Sequence, residues 1–221
     1  MKNKINRDNR RITIRKEVAD DYEIVEKMTR EAFWNLYVPG CSEHYLVHTM
    51  RSHEDFLAEL AFVIELDGKI VGNVMYTKAR LIDDSGNTKD ILTFGPVCIL
   101  PEYQRQGLGK LLLNYSFEQA GKLGYDVIVI FGSPSNYVNL GFKSCKKYNI
   151  SFQDNLFPTA MMINELNPDV LDGRKWVYHE SPVMQIDSEK AQIFDKGLEK
   201  MMKEWQPSQE EFYILSHSSL Q

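Results

Sequence analysis

Apolar and polar positions change rhythm several times along the chain, and each rhythm predicts an element. Ile12 and Ile14 alternate with polar neighbours over residues 11–16, as on a half-buried strand. Ile24, Val25, Met28 and Phe33 then recur at near-helical spacing behind Asp20 and Asp21, which can serve as an N-cap, and Pro39-Gly40 breaks that helix. A second short helix carries Tyr45, Leu46, His48 and Met50. Three apolar runs follow, at 61–66, 70–81 and 91–100, separated by Asp67-Gly68 and by the polar stretch 83–87. An Asp-Gly pair between such runs signals a hairpin, because glycine accepts a positive φ. The first half therefore reads as a strand, two helices and an antiparallel meander.

The middle changes character. Pro101 closes the third long strand, and a glycine-containing loop follows. Leu108, Leu111, Leu112 and Tyr115 then mark one face of a helix that ends near Gly121 or Gly124. Residues 125–131 are apolar on both faces, which suits an interior parallel strand. Strand, helix and buried strand make a βαβ unit, whose loop is the expected site. Further strands are expected near 159–166 and 175–183. A final helix is expected over 188–205, with Phe194, Leu198, Met201, Met202 and Trp205 on one face as core or as the contact of a homodimer. No linker-like stretch divides the chain, so one α/β domain is expected.

Composition narrows the function classes. The 221 residues carry a formal charge of −5, with 43% apolar and 11% aromatic side chains, an ordinary globular balance. The longest purely apolar run, 127–131, is far short of the roughly 20 residues that span a bilayer, so no membrane role is expected. Residues 1–16 hold seven basic side chains but neither an apolar signal core nor interleaved aromatics. They read as a solvated lead-in, and no nucleic-acid partner is expected. The cysteines Cys41, Cys98 and Cys145 are odd in number and widely spaced, which argues against a disulfide framework or a structural zinc. The expected compartment is the cytoplasm.

The chemistry is concentrated in the loop after the third long strand. Gly107 and Gly109 let the backbone turn tightly and approach a ligand, and strong helix formers come next. The outward N–H groups of a helix N-terminus, flanked by Arg105 and Lys110, make an anion cradle sized for a pyrophosphate. The string Val97-x-Ile99-x-Pro101-x-Tyr103-Gln104-Arg105-Gln106-Gly107-Leu108-Gly109 resembles the acyl-CoA-binding motif of the GNAT N-acetyltransferase superfamily. Downstream, Tyr137-Val-Asn-Leu-Gly141-Phe142 resembles that family's Y-x-x-x-G-F signature. The two together, in order around a βαβ unit, are far more specific than either alone.

The resemblance implies a mixed, splayed central sheet flanked by helices, with a C-terminal strand and helix extension. It divides the chain into a basic lead-in (1–11), an acetyltransferase domain (12–186) and a C-terminal helical extension (187–221). It also implies acetyl-CoA as co-substrate. Backbone groups of Val97, Cys98 and Ile99 would meet the pantetheine, and the segment Gln104, Arg105, Gln106, Gly107, Leu108, Gly109 and Lys110 would hold the pyrophosphate. Tyr137 would protonate the leaving thiolate. The Asn that the family carries near the end of the buried strand falls on Ile130, so Ser133 or Asn136 is expected to make its cofactor contact. No metal is implied.

The acceptor expected from this resemblance is a small-molecule amine. Deprotonating an alkyl ammonium at pH 7 costs about 4.6 kcal/mol, against about 2 kcal/mol for the departing thiol. A base therefore matters more than the acid, yet the sequence leaves it open among Glu31, Glu43, His44 and His48. Tyr103 and Cys98 read as packing residues. The alternative from another class is a non-catalytic acyl-CoA sensor that keeps the cradle without turnover.

Overall fold

A computed structural model describes residues 2–5 and 10–221 of the chain. Ten strands among them form one mixed sheet. β1 (Lys2–Ile5), β2 (Arg11–Lys16), β3 (Phe62–Leu66), β4 (Lys69–Asp83) and β5 (Thr88–Ile99) pair antiparallel in sequence order. β6 (Val127–Phe131) lies parallel to β5, and β9 (Met161–Glu165) and then β7 (Lys143–Ser144) extend that side antiparallel. β10 (Trp176–His179) returns to the far half of β4, with β8 (Ile150–Ser151) beside it. The helices are α1 (Tyr22–Phe33), α2 (Glu43–Met50), α3 (Leu108–Lys122), the single turn α4 (Pro134–Tyr137), α5 (Ser188–Lys196) and α6 (Pro207–Ser216).

Period-two alternation sends side chains to opposite faces of the sheet, so each face acquires its own core. On one face Phe62, Ile64, Tyr76, Leu92 and Phe94 pack against Leu108, Leu112 and Phe117 of α3. On the other, Val63, Ile70, Met75 and Cys98 meet Val25, Met28 and Phe33 of α1 and Leu46, Val47 and Met50 of α2. The β6–β10 half of that second face is filled by Val127, Val129, Met161, Ile163 and Tyr178. Inside the first core the Tyr76 hydroxyl and Ser116 Oγ lie 2.7 Å apart, fixing α3 to β4 with both groups satisfied.

The predicted meander and βαβ unit are present, with several differences. Asp67 and Gly68 both take positive φ, as a tight hairpin turn requires. Asp21 does not cap α1 with its side chain; its carboxylate is taken by both Arg15 terminal nitrogens and by the Val18 N–H. β6 is parallel on one side only, because β9 inserts beside it. The basic lead-in is not simply solvated, since Lys2–Ile5 pairs with β2 as an edge strand. Its remaining residues, 1 and 6–9, lie outside the described residues.

The largest departure is the carboxy-terminal helix. Asp187 caps α5 through the N–H groups of Glu189 and Lys190, but α5 stops at Lys196 before Gly197. Residues 198–206 are irregular, and Gln206, held extended before Pro207, leads into a separate α6. Met202 and Trp205 are consequently 76% and 66% exposed rather than part of a core face, while Phe194, Leu198 and Met201 line a small hollow against α1. Helical spacing is present at these positions, but glycine and proline interrupt the backbone that would use it.

The extension is clasped to the body through one ion pair in particular. Arg30 of α1, 7% exposed at its side chain, donates to Asp195 of α5 at 2.8 Å. Removing one partner of a buried pair leaves the other uncompensated. Asp195→Asn is expected to lower stability by about 2 kcal/mol, the lower end being set by the carboxylate's partial exposure. Urea denaturation at pH 7 measures this.

Candidate active site

β5 and β6 are registered at a single pair, Leu92 with Ile128, and then part. The cause lies in β5. Its register against β4 slips between Val74 and Tyr76, whose partners are Val97 and Phe94, so Gly95 and Pro96 form a bulge. Pro96 has no N–H to give to either neighbour. Beyond the bulge, β5 stays on β4 while β6 follows β9. Along this stretch of β5 lies a cleft of about 440 Å³, lined by Val97, Cys98 and Ile99 and by Phe33, Tyr37 and Tyr137.

Strand alternation sorts the three β5 residues. Leu100 N–H donates to Val71 O of β4, and the Cys98 carbonyl crowds Gly72. The backbone groups of Cys98 therefore face β4, and those of Val97 and Ile99 face the cleft. The Ile99 carbonyl accepts a bond from Gln104 Nε2 at 2.9 Å. The Cys98 side chain lies on the α1 face, its Sγ 3.0 Å from Asn73 Oδ1, and burial pushes its thiol up to about 12. Such a thiol is a packing group, not a nucleophile.

The cradle forms at the mouth of the cleft. Arg105 and Gly107 both take left-handed φ, +59° and +82°, and Gly107 is the N-cap of α3. The first N–H groups of α3 have no partner within the helix and sit at its positive end. Gln104, Arg105, Gly107, Leu108, Gly109 and Lys110 all border the cleft. Gln106 instead turns back to the Glu102 carbonyl. Asn136 borders the cleft too, whereas Ser133 Oγ pairs with Ser135 Oγ.

Tyr137 is positioned by aromatic packing. Its ring lies 5.9 Å from Phe94 and 5.6 Å from Phe142, and any Cβ at position 132 would fall within it. Gly132 is thus required for the ring to lie on the backbone. Burial raises the Tyr137 phenol, so it stays protonated at neutral pH. Tyr37 and Leu36 had no motif to announce them, yet they line the cleft wall opposite.

The four candidate bases are scattered. Glu31 is exposed on the outer side of α1. His48 is exposed, 3.2 Å from Glu26, and packs on Phe194. His44 is fully enclosed between Cys41 Sγ and Asp195 Oδ1, each 3.4 Å from a ring nitrogen, and desolvation lowers it to about 4. Glu43 accepts the Ser42 N–H at 3.0 Å, and burial raises its carboxyl. Tyr37, a cleft residue, has its phenol raised by burial and by the nearby Glu43 charge, while Glu31 directly precedes the cleft residue Ala32.

Comparisons with known proteins agree with this architecture. Residues 30–142 match the family model described as Acetyltransferase (GNAT) family, about half of the chain. A curated relative, the uncharacterized N-acetyltransferase YjhQ of Escherichia coli (strain K12), is 25% identical over 100 residues. That match covers 45% of this chain and 55% of YjhQ, so the chain spans about half the length of this relative. Among solved structures, the GNAT family N-acetyltransferase YhbS of Escherichia coli in complex with CoA aligns with a TM-score of 0.67 at 22% identity, over 78% of this chain and 91% of that one. A GNAT family acetyltransferase of Brucella melitensis in complex with acetyl-CoA aligns at 0.61 and 22%, over 79% and 98%. At these identities the likeness is one of fold.

Enclosure of His44 as a neutral ring has a measurable consequence. Its folded value lies near 4, below the ordinary 6.5, so the unfolded chain binds the proton more readily. Its contribution to stability is complete above pH 6.5 and is lost progressively down to pH 4, amounting to about 2 kcal/mol between pH 7 and 5. Urea melts at the two pH values should show that His44→Gln has the shallower pH slope.

Proposed function

The chain belongs to the acetyltransferase (GNAT) family, and from that premise we propose that it transfers an acetyl group from acetyl-CoA to an amino group. The observation that carries the reading is the fork itself: an open strand edge at Val97 and Ile99 running toward a helix N-terminus with unsatisfied N–H groups. Pantetheine is an amide chain and pyrophosphate an anion, so one thread matches edge and cradle in order. CoA and acetyl-CoA in the two structural neighbours support the choice of cofactor. In this reading residues 12–186 form the transferase domain and 187–221 its extension.

Val97 and Ile99 present backbone donors and acceptors to the pantetheine, and an N–H left over at the bulge polarises the thioester carbonyl. The Gln104–Ile99 bond exchanges for one to the ligand. Arg105, Lys110 and the first amides of α3 hold the pyrophosphate, with Asn136 at the rim. As the neutral amine nitrogen bonds to the acetyl carbon and the carbon–sulfur bond breaks, Tyr137 gives its proton to the departing sulfur. The proton shed by the nitrogen leaves through water, and Tyr137 is reprotonated from the same source. The products are an amide and CoA thiol. Glu43, whose charge acts on the cleft residue Tyr37, is the candidate we favour for accepting the amine's first proton.

Two substitutions test the assignment. Gly107→Glu places a side chain and a negative charge in a cradle whose backbone requires positive φ. Wild type should gain about 2.7 kcal/mol of stability at acetyl-CoA concentrations a hundredfold above Kd, and the variant should gain none; protection that persists would refute the cradle. Tyr137→Phe should lower kcat by about tenfold, since thiol departure needs only modest help, while the KM for acetyl-CoA stays within about twofold. An unchanged kcat would leave Tyr137 as a packing residue. Thermal protection by acetyl-CoA without CoA thiol release across a broad amine panel would identify a sensor instead.

A further inference from the structure

The part of the cleft wall that follows α1 owes its position to the carboxy-terminal extension. Leu36 and Tyr37 line the cleft from a stretch, 34–41, that forms no helix or strand of its own. The backbone of such a segment has to find its partners elsewhere. Trp34 Nε1 and Asn35 Nδ2 donate to the Met202 carbonyl at 2.8 and 3.0 Å. Asn35 Oδ1 accepts the Glu204 N–H at 3.2 Å and, within the stretch, the Gly40 N–H at 2.8 Å. Gln209 Nε2 and Ser208 Oγ donate to the Asn35 and Leu36 carbonyls at 2.9 and 2.8 Å. Residues 34–36 are thus fastened to 202–209 by five hydrogen bonds, and the two segments are placed together.

Tyr37 is held by rings instead. Phe212 of α6 stacks on it with centroids 4.6 Å apart and planes 30° from parallel, and Phe33 meets it at 5.8 Å. Phe212 is 38% exposed and does not itself line the cleft. Tyr37 does, together with Val97, Ile99 and Tyr137. Burial chiefly, with the Tyr37 phenol adding to it, raises the Tyr137 phenol, so the two are near enough to interact. A ring packed on two sides has lost its rotamer freedom before any ligand arrives. A ligand that uses it as a wall does not have to order it.

Resting on the acetyl-CoA reading above, we propose that Phe212 is a positioning residue for the cofactor: its stack on Tyr37 holds the cleft wall in the form against which acetyl-CoA packs. Tyr37 touches the cofactor, and Phe212 acts only through it. The extension is then part of the binding machinery although none of α6 lines the cleft. Without the stack, acetyl-CoA keeps its cradle at Gly107 but must order Tyr37 as it binds. Ordering one such side chain lowers affinity about fivefold.

Calorimetric titration of the full chain with acetyl-CoA tests this. Phe212→Ala should raise Kd about fivefold, whereas Phe212→Tyr, which keeps a flat ring, should stay within about twofold of wild type. In a Tyr37→Ala background the Phe212→Ala change should have less than about a twofold effect, because the ring it positions is gone. Phe212 is partly exposed and the five bonds remain, so Phe212→Ala should stay folded by circular dichroism. Phe212→Leu, which keeps apolar bulk without a stacking face, should raise Kd likewise and replaces the alanine variant if that one unfolds. An unchanged Kd in Phe212→Ala and Phe212→Leu would overturn the inference while leaving cofactor binding intact. So would a Phe212→Tyr variant as weak as these, or a fivefold effect that survives without the Tyr37 ring. Wild type that binds no acetyl-CoA would overturn the transfer reading and this one with it.

Discussion

Two strands that begin side by side and then separate are the constraint on which the rest depends. A sheet normally continues its ladder because unpaired backbone groups in a protein interior are costly. Here Gly95 and Pro96 interrupt it at one point, and the strands beyond are held apart by different partners, β4 on one side and β9 on the other. The helix that follows β5 then brings its amino end to the mouth of the gap. Open edge, anion cradle and aromatic wall are three consequences of one bulge, which is why their residues lie scattered over more than forty positions of sequence.

Much of this was legible before any coordinates. The Asp67-Gly68 hairpin, the meander and the helix behind Gly107 are local features, written in turn chemistry and periodicity. The cradle was legible for the same reason, since a helix start and its glycines are adjacent in sequence. Pairings between distant segments were not. That β9 flanks β6, or that β10 returns to β4, depends on which edges are free after the meander has formed. Asp21 looks like a cap and is instead claimed by Arg15, which only the β2–α1 geometry brings within reach. The four candidate bases, close on the chain in three cases, face different sides once α2 is rolled onto the sheet. The apolar period at 198–205 failed because Gly197 and Pro207 set the backbone before side-chain spacing can act.

The carboxy-terminal segment, which sequence patterns misread, touches one wall of the cleft and the approach to β9. Ser208 Oγ and Gln209 Nε2 bond to the carbonyls of Leu36 and Asn35, and Phe212 stacks on Tyr37 at 4.6 Å. At the other end of α6, Ser218 O and the Leu220 N–H pair with Thr159 and Phe157, just before β9. A helix tied at both ends in this way carries little of the core, and most of its surface is open to water. Its contribution is geometric, because it fixes the distance between the α1–α2 connection and the β9 approach.

The bond from Gln104 Nε2 to the Ile99 carbonyl has a further consequence. The open edge is not bare: its acceptor at Ile99 is already occupied by a side chain from the loop that also forms the cradle. A ligand chain entering the fork exchanges an existing bond for a new one, and such exchanges contribute little net free energy. On the proposed reading, affinity would come chiefly from the charged end at the helix, while the edge would enforce direction. Edge and helix start are in this way joined through one side chain, since Gln104 belongs to the loop and bonds to the strand.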